Sequence, residues 1–370
     1  MERARRFGEA ARCGRGESVT RPYSSGDLER ILSAAPLANP APNAAGGPRA
    51  SVDSRTVRAG DLFFALPGEK TDGHRFLGEA FRRGAALAIV RKDRAADLPA
   101  DLRTGRTLAV DDTLEALVRL ARAHRALFSP RVVAITGSNG KTTTKELLAA
   151  IFRAEGPALA SPANYNTLIG LALTLLELGE EHGRLVVELG ISAPGEMEAL
   201  GALARPGAVL FTNVHAAHLQ GLGSVENVAR EKGTLAEFVE IGGSVHVNGD
   251  DPVLLAEMRR RRVDFRTFGF GDGCAFRPER VEPWGAEGVR VVLGGGERYC
   301  APLYGMHGAY DLVAALAAAA GEGLSPETVA SGLAAFAPPP GRFRPERAAG
   351  VLLVDDTYNA NLASTRHAIE

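Results

Sequence analysis

The chain has 370 residues, long enough for two or three domains of roughly 100 to 200 residues and a sizeable core. Its 43 Lys plus Arg balance 44 Asp plus Glu, so the net charge of -1 excludes a global field for nucleic acid or an acidic membrane, and any anion site must be local. Three widely spaced cysteines, Cys13, Cys274 and Cys300, fit neither a disulfide framework nor a CxxC metal site, which points to a reducing cytoplasm.

In chain order, Met1 to Glu17 is Arg-rich with interspersed Glu and lacks the apolar core of a secretory signal, so residues 1–20 are expected to be a disordered tail or an unused upstream start. A first domain is expected over 21–112. Pro36–Pro48 reads as a loop, Ser51–Arg55 and Gly60–Leu66 as strands, Arg75–Gly84 as a helix and Ala88–Val90 as a strand, together a small α/β unit. Leu108–Val110 and a helix over Thr113–Phe128 lead into a second domain, 113–340.

That domain opens with the apolar strand Val132–Ile135, the loop Thr136–Thr144 and a helix from Thr142 to Ala154. Further strands are expected at Leu185–Val187, Ala208–Phe211 and Ser244–Val247, and their alternation with helical sequence argues a mostly parallel sheet covered on both faces. From Val263 to Leu303 short alternating runs with Gly-rich turns suggest an antiparallel appendage, followed by a helix over Ala309–Ala320. No run of about 18 apolar residues occurs, so no membrane span is expected. Pro338–Gly341 is a hinge-like break, and Val351–Val354 reads as the first strand of a further α/β unit, 341–370, with room for little more than a strand, a loop and the start of a helix before Glu370.

Chemistry concentrates in the loop Thr136-Gly137-Ser138-Asn139-Gly140-Lys141-Thr142-Thr143-Thr144. Gly137 and Gly140 let backbone approach an anion closely, Lys141 can neutralise the β/γ charge of a triphosphate, and the Thr142 hydroxyl can ligate Mg²⁺. The spacing Gly-x-x-Gly-Lys-Thr is shorter than the usual phosphate loop, but the strand before it and the helix after it favour ATP over an ordinary helix cap. Glu188 ends a strand, where the nucleotide crevice of an open α/β sheet lies, and is a natural Mg²⁺ ligand; alone it could equally be a solvated loop carboxylate. Asn213, His215 and His218 follow the next strand, and of these His218 is read as functional. Asn248 to Pro252 could be a simple Asx turn, but its place as the fourth strand-end cluster favours a site. Lys232 could be half of a solvated charge pair on a helix, and composition does not reject that.

These residues resemble the Mur ligase family. The resemblance runs from about Val52 onward and is carried by Asp53-Ser54-Arg55, Gly60-Asp61-Leu62-Phe63, Asp72-Gly73-His74, Thr136 to Glu146, Asn164-Tyr165-Asn166, Glu188-Leu189-Gly190, Thr212-Asn213-Val214, Ala217-His218-Leu219, Lys232, Asn248 to Pro252, Gly341-Arg342 and Asp355 to Asn361. The Glu-Leu-Gly form and the stretch Ala217 to Ser224 are similar to the branch that joins D-alanyl-D-alanine to UDP-N-acetylmuramoyl-tripeptide. The resemblance implies an N-terminal domain holding the UDP-sugar, a central ATPase domain and a C-terminal Rossmann-like domain closing over ATP. It implies that Ser54, Arg55, Asp72, Gly73 and His74 face the UDP-sugar and that Asn164 and Asn166 form a substrate-side loop. It further implies that Ser138, Asn139, Lys141, Thr142 and Thr143 hold phosphate, that Thr142, Glu188, His218 and a carbamoylated Lys232 hold Mg²⁺, and that Asn248, Asp250, Arg342 and Asp356 adjoin the nucleotide. The family's Gly-x-His-Asn-x-x-Asn pattern reads here Gly305-Met306-His307-Gly308-Ala309-Tyr310-Asp311, without either asparagine, and Ala163 stands where Gly is usual.

The implied activity is a cytoplasmic, monomeric, ATP-dependent ligase of peptidoglycan precursor synthesis that acts through an acyl phosphate. The family's third domain is about a hundred residues longer than 341–370 allows, so the expected C-terminal domain is truncated. The alternative is a nucleotide- and precursor-binding fragment that cannot complete catalysis. A folylpolyglutamate or cyanophycin-type ligase would share the ATPase core but not Asp53-Ser54-Arg55 and Asp72-Gly73-His74.

Overall fold

The structure, a computed structural model, describes residues 23–38, 45–46, 49–68, 71–216, 219–283, 287–348, 350–359 and 365–366. The expected tail at 1–20 lies outside them, as does His218. The N-terminal part runs β1 (Tyr23–Ser24), α1 (Ser25–Leu32), β2 (Ala35–Pro36), β3 (Ala45–Gly46), β4 (Ala50–Ser51), β5 (Leu62–Phe64), α2 (Leu77–Arg82), β6 (Leu87–Arg91), β7 (Thr107–Val110) and α3 (Thr113–Arg125). Its five-stranded sheet has the order β2-β7-β6-β5-β4, with β2 antiparallel and the rest parallel. The expected loop over Pro36–Pro48 therefore contributes two short strands, β3 pairing with β1 and Pro36 ending β2. Ser54 and Arg55, expected within the strand Ser51–Arg55, fall instead in a 3-10 helix over Ser54–Thr56, where the Asp53 side chain caps the Arg55 N–H.

The central part continues with β8 (Arg131–Thr136), α4 (Lys141–Glu155), β9 (Ala158–Ala160), α5 (Leu168–Leu175), β10 (Arg184–Glu188), α6 (Glu196–Ala204), β11 (Ala208–Phe211), α7 (Leu219–Leu222), α8 (Val225–Gly233), β12 (Ser244–Asn248), α9 (Pro252–Arg261) and β13 (Arg266–Phe268). The six strands form one parallel sheet in the order β13-β12-β11-β8-β10-β9. The unbroken apolar runs follow from burial on both faces. Along β8, Val132 and Ala134 enter the core shared with α3 and the N-terminal sheet, whereas Val133 and Ile135 enter a second core beneath α4. Burial of each of the two valines and Ile135 contributes about 1.5–3 kcal/mol, and a one-residue slip would exchange both faces.

An antiparallel sheet follows: β14 (Arg280–Pro283), β15 (Val289–Val292) and β16 (Arg298–Ala301). Then come α10 (Gly305–Gly321) and α11 (Pro326–Ala334), both packed against α4 in the second core. The appendage is thus shorter than Val263–Leu303, since Arg266–Phe268 pairs in parallel with β12 instead. β17 (Arg344–Ala348) and β18 (Val351–Asp355) form an antiparallel hairpin, so Val351–Val354, expected as the first strand of a unit, lies in the second. Among the described residues no helix is long and apolar enough to cross a membrane.

Candidate active site

The carboxyl ends of four parallel strands, β8, β10, β11 and β12, deliver the candidate groups to one edge of the sheet, where ligands bind in open α/β folds. After β8 the chain turns through Gly137 at φ +155 and Gly140 at φ +81, backbone that L side chains rarely adopt. A β-carbon at Gly137 would fall on the Thr212 hydroxyl, and one at Gly140 on the Asp311 carboxylate. Helix α4 then starts at Lys141, whose ammonium donates to the Ser138 carbonyl at 3.0 Å. Burial and the Arg342 charge pull the Lys141 ammonium down, while Glu188 opposes them. Among the described residues no side chain caps this helix start, so its first N–H groups and the Lys141 charge can receive an anion.

Glu188 is buried at the end of β10. One carboxylate oxygen accepts from the Thr142 hydroxyl at 2.8 Å, the other from the Asn166 amide at 3.1 Å. Arg342 reaches across from the C-terminal hinge and donates to the same Thr142 oxygen at 3.1 Å, its guanidinium stacked 3.9 Å over the Tyr358 ring. Lys232, on α8, is buried, and among the described residues no hydrogen bond or ion pair holds its ammonium. Burial, then the Lys141 charge, hold its amine well below the ordinary lysine range.

Sequence reasoning missed the groups that brace the loop. The Asn213 side chain accepts from the Asn139 N–H at 2.8 Å and donates to its carbonyl at 3.2 Å, while the Asn213 carbonyl accepts from the Ser138 N–H at 2.8 Å. Thr212 donates to the Asn139 carbonyl at 2.6 Å. Asp311 sits over Gly140, its carboxyl pushed up to about 8 by burial against the pull of Arg342 and the Thr143 hydroxyl. Asn213 and Thr212 stand in the Thr212-Asn213-Val214 motif and Asp311 ends the altered Gly305 to Asp311 pattern, but the bracing role of each depends on partners distant in the sequence.

Other expected site residues are used internally. Asn248 donates to the Thr212 carbonyl at 2.8 Å and accepts from the Asp250 N–H at 2.9 Å, so it is an Asx turn that also steadies Thr212. Asp250 gathers the N–H groups of Phe270 and Gly271 and the Tyr310 hydroxyl. Asp356 accepts from the Phe343 N–H at 3.1 Å, bracing the residue after Arg342. In the N-terminal part, the buried His74 accepts the Arg91 N–H on Nε2 at 3.0 Å, which places its proton on Nδ1, 2.5 Å from Asp72. Gly73 lies so close to Leu66 that a β-carbon would be 2.8 Å from its backbone nitrogen. Ser54 donates to Glu79 at 2.8 Å, and Arg55 is exposed beside Asp53. Asn164 lies in the turn before Asn166, next to Ala163 at φ +42, a left-handed conformation costing an alanine about 1–2 kcal/mol.

Two family patterns match the chain: "Mur ligase family, catalytic domain" over residues 50–125 and "Mur ligase middle domain" over 135–319. The UDP-N-acetylmuramoyl-tripeptide--D-alanyl-D-alanine ligase of Bacillus subtilis is 34% identical over 322 residues, covering 86% of this chain and 69% of the relative. The chain belongs to the Mur ligase family. The equivalent ligase of Escherichia coli is 35% identical over 325 residues, covering 86% of this chain and 70% of its own length. Among solved structures, MurF from Acinetobacter baumannii superposes with a TM-score of 0.82 at 29% identity, covering 94% of this chain and 76% of that one. The Mur ligase MurF from Thermotoga maritima, solved with ADP, gives 0.73 at 29% identity over 87% of this chain and 73% of that one.

Proposed function

We propose that this Mur ligase joins D-alanyl-D-alanine to UDP-N-acetylmuramoyl-tripeptide at the expense of ATP in peptidoglycan precursor synthesis, acting as a cytoplasmic monomer. The observation that carries the reading is the convergence of Lys141, Thr142 and Glu188 at the carboxyl edge of the parallel sheet. We assign residues 21–112 to the UDP-sugar, 113–340 to ATP and 341–370 to the start of a third domain. Ser54, Arg55 and Asp72–His74 would shape the UDP-sugar site, the last three as a fixed scaffold, and Asn164 and Asn166 would face the precursor.

A carboxylate is a poor acyl donor because its oxygen leaves badly. Transfer of the γ-phosphoryl breaks the bond to ADP and forms an acyl phosphate on the terminal tripeptide carboxyl. The dipeptide amine then attacks the acyl carbon, a C–N bond forms, phosphate leaves and the amine gives up a proton. The cradle amides and Lys141 hold the phosphates in place and offset the charge gathered during transfer. The Thr142 hydroxyl and Glu188 carboxylate are hard oxygen donors 2.8 Å apart and fit Mg²⁺. Bound Mg²⁺ supplies charge neutralisation and polarises phosphoryl oxygens. Lys232 suits a modified role, since a buried amine held well below its usual range, with no hydrogen bond or ion pair to the described residues, gives up its proton more readily and can add CO₂, releasing one proton and gaining two ligand oxygens.

The test is phosphate release with one component omitted at a time. Release requires ATP, the UDP-tripeptide and D-alanyl-D-alanine together; equal release without the dipeptide would refute the assignment.

A further inference from the structure

Lysine is almost never fully buried unless its ammonium is paired. Lys145 on α4 has no exposed surface. Its ammonium donates to the Ser161 carbonyl at 2.7 Å and the Ala163 carbonyl at 3.4 Å and pairs with the Glu146 carboxylate at 2.7 Å. It follows Lys141 by four residues, one helical turn along the same face.

The segment it grips carries the two asparagines. Ser161 accepts the Glu188 N–H on its hydroxyl at 3.1 Å, and Ala163 is the residue held at positive φ. The Asn166 carbonyl accepts the Gly190 N–H at 2.8 Å, and the Asn166 amide rests on Glu188. Glu188 in turn holds Thr142 at the start of α4. The contacts close a ring from α4 through Lys145 to residues 161–166, on to Glu188 and back through Thr142 to α4.

We propose that Lys145 is a positioning residue that fixes the Asn164–Asn166 loop against the phosphate-loop helix and thereby shapes the precursor side of the site. The inference rests on the reading of those asparagines as precursor contacts. A lysine that only filled the core would, when replaced, lower the melting temperature and leave the two ligands affected alike. A positioning lysine separates them, because the loop loses its anchor while the cradle keeps Asn213 and Thr212.

Calorimetry on the full chain distinguishes the two, with UDP-N-acetylmuramoyl-tripeptide and ADP titrated separately. Lys145→Met should weaken the UDP-tripeptide by about tenfold or more and ADP by less than about threefold, as supporting residues behind a ligand contact do. Lys145→Arg, which keeps a donor, should recover part of the precursor affinity. A folded Lys145→Met chain that binds the precursor like the parent, or loses both ligands equally, overturns the inference. A second measurement needs no variant: ADP alone should slow amide hydrogen exchange over residues 161–166, and unchanged exchange there also overturns it. Failure of the unaltered chain to bind the UDP-tripeptide would instead remove the precursor reading itself.

Discussion

At the proposed phosphate loop, Lys141 is the charge assigned to the triphosphate, while Arg342 is engaged with Thr142 and Tyr358. Lys141→Ala should abolish ATP turnover and weaken ADP strongly in a direct titration; turnover within a few-fold of the parent would contradict the cradle. Asp311 gives the same loop a pH response. With its carboxyl pushed up to about 8, it is mostly neutral at pH 7 and charged at pH 9, where it opposes the phosphates beside Gly140. ADP affinity should therefore fall as pH rises through about 8, and Asp311→Asn should remove that part of the fall. Identical pH profiles for the two forms would refute it. Lys232→Ala should be inactive and partly rescued by short carboxylates that occupy the vacated ligand position, with Lys232→Glu rescuing less because its reach is shorter. Parent-like turnover of Lys232→Ala would return this lysine to a packing role.

Among the elements, His246 on β12 lies buried beside Gly321 near the end of α10, where a β-carbon would meet its ring. Burial and Arg266 hold its imidazole down at about 4, so it stays neutral in the folded chain while an unfolded histidine protonates below about 6.5. The folded pKa is depressed, so this stability is present above about 6.5 and lost as pH falls towards 4, up to about 3 kcal/mol. Melting curves between pH 7 and 4.5 should show His246→Gln losing less than the parent; parallel losses would exclude the histidine. Four strands of this sheet were legible because aliphatic runs buried on both faces are conspicuous. Ala158–Ala160 was not, having no β-branched residue, and Arg266–Phe268 was masked by the alternating sequence that follows it. Strand order could not be read, since it depends on which crossovers pack. The site shows the same division. Lys141, Thr142 and Glu188 follow from local spacing, whereas Lys145, Asp311 and Thr212 acquire meaning from partners 16 to 171 residues away.

Across the whole molecule, the contact between Arg342 and Thr142 joins positions 200 residues apart and ties the hinge before the β17–β18 hairpin to the start of α4, the proposed nucleotide site. Loss of that tie in Arg342→Ala should raise the KM for ATP more than that for the UDP-tripeptide, and an equal effect on both would place Arg342 outside nucleotide binding. The expected split into UDP-sugar and ATP regions places the two substrates on different sheets, so the reaction requires both to be held together with the amine. Mass spectrometry of the precursor after incubation with ATP, Mg²⁺ and D-alanyl-D-alanine tests this most directly. The account predicts UDP-N-acetylmuramoyl-pentapeptide, with one ADP and one phosphate released per product. Binding of nucleotide and precursor with no pentapeptide, or ligation of a single amino acid in place of the dipeptide, would contradict it.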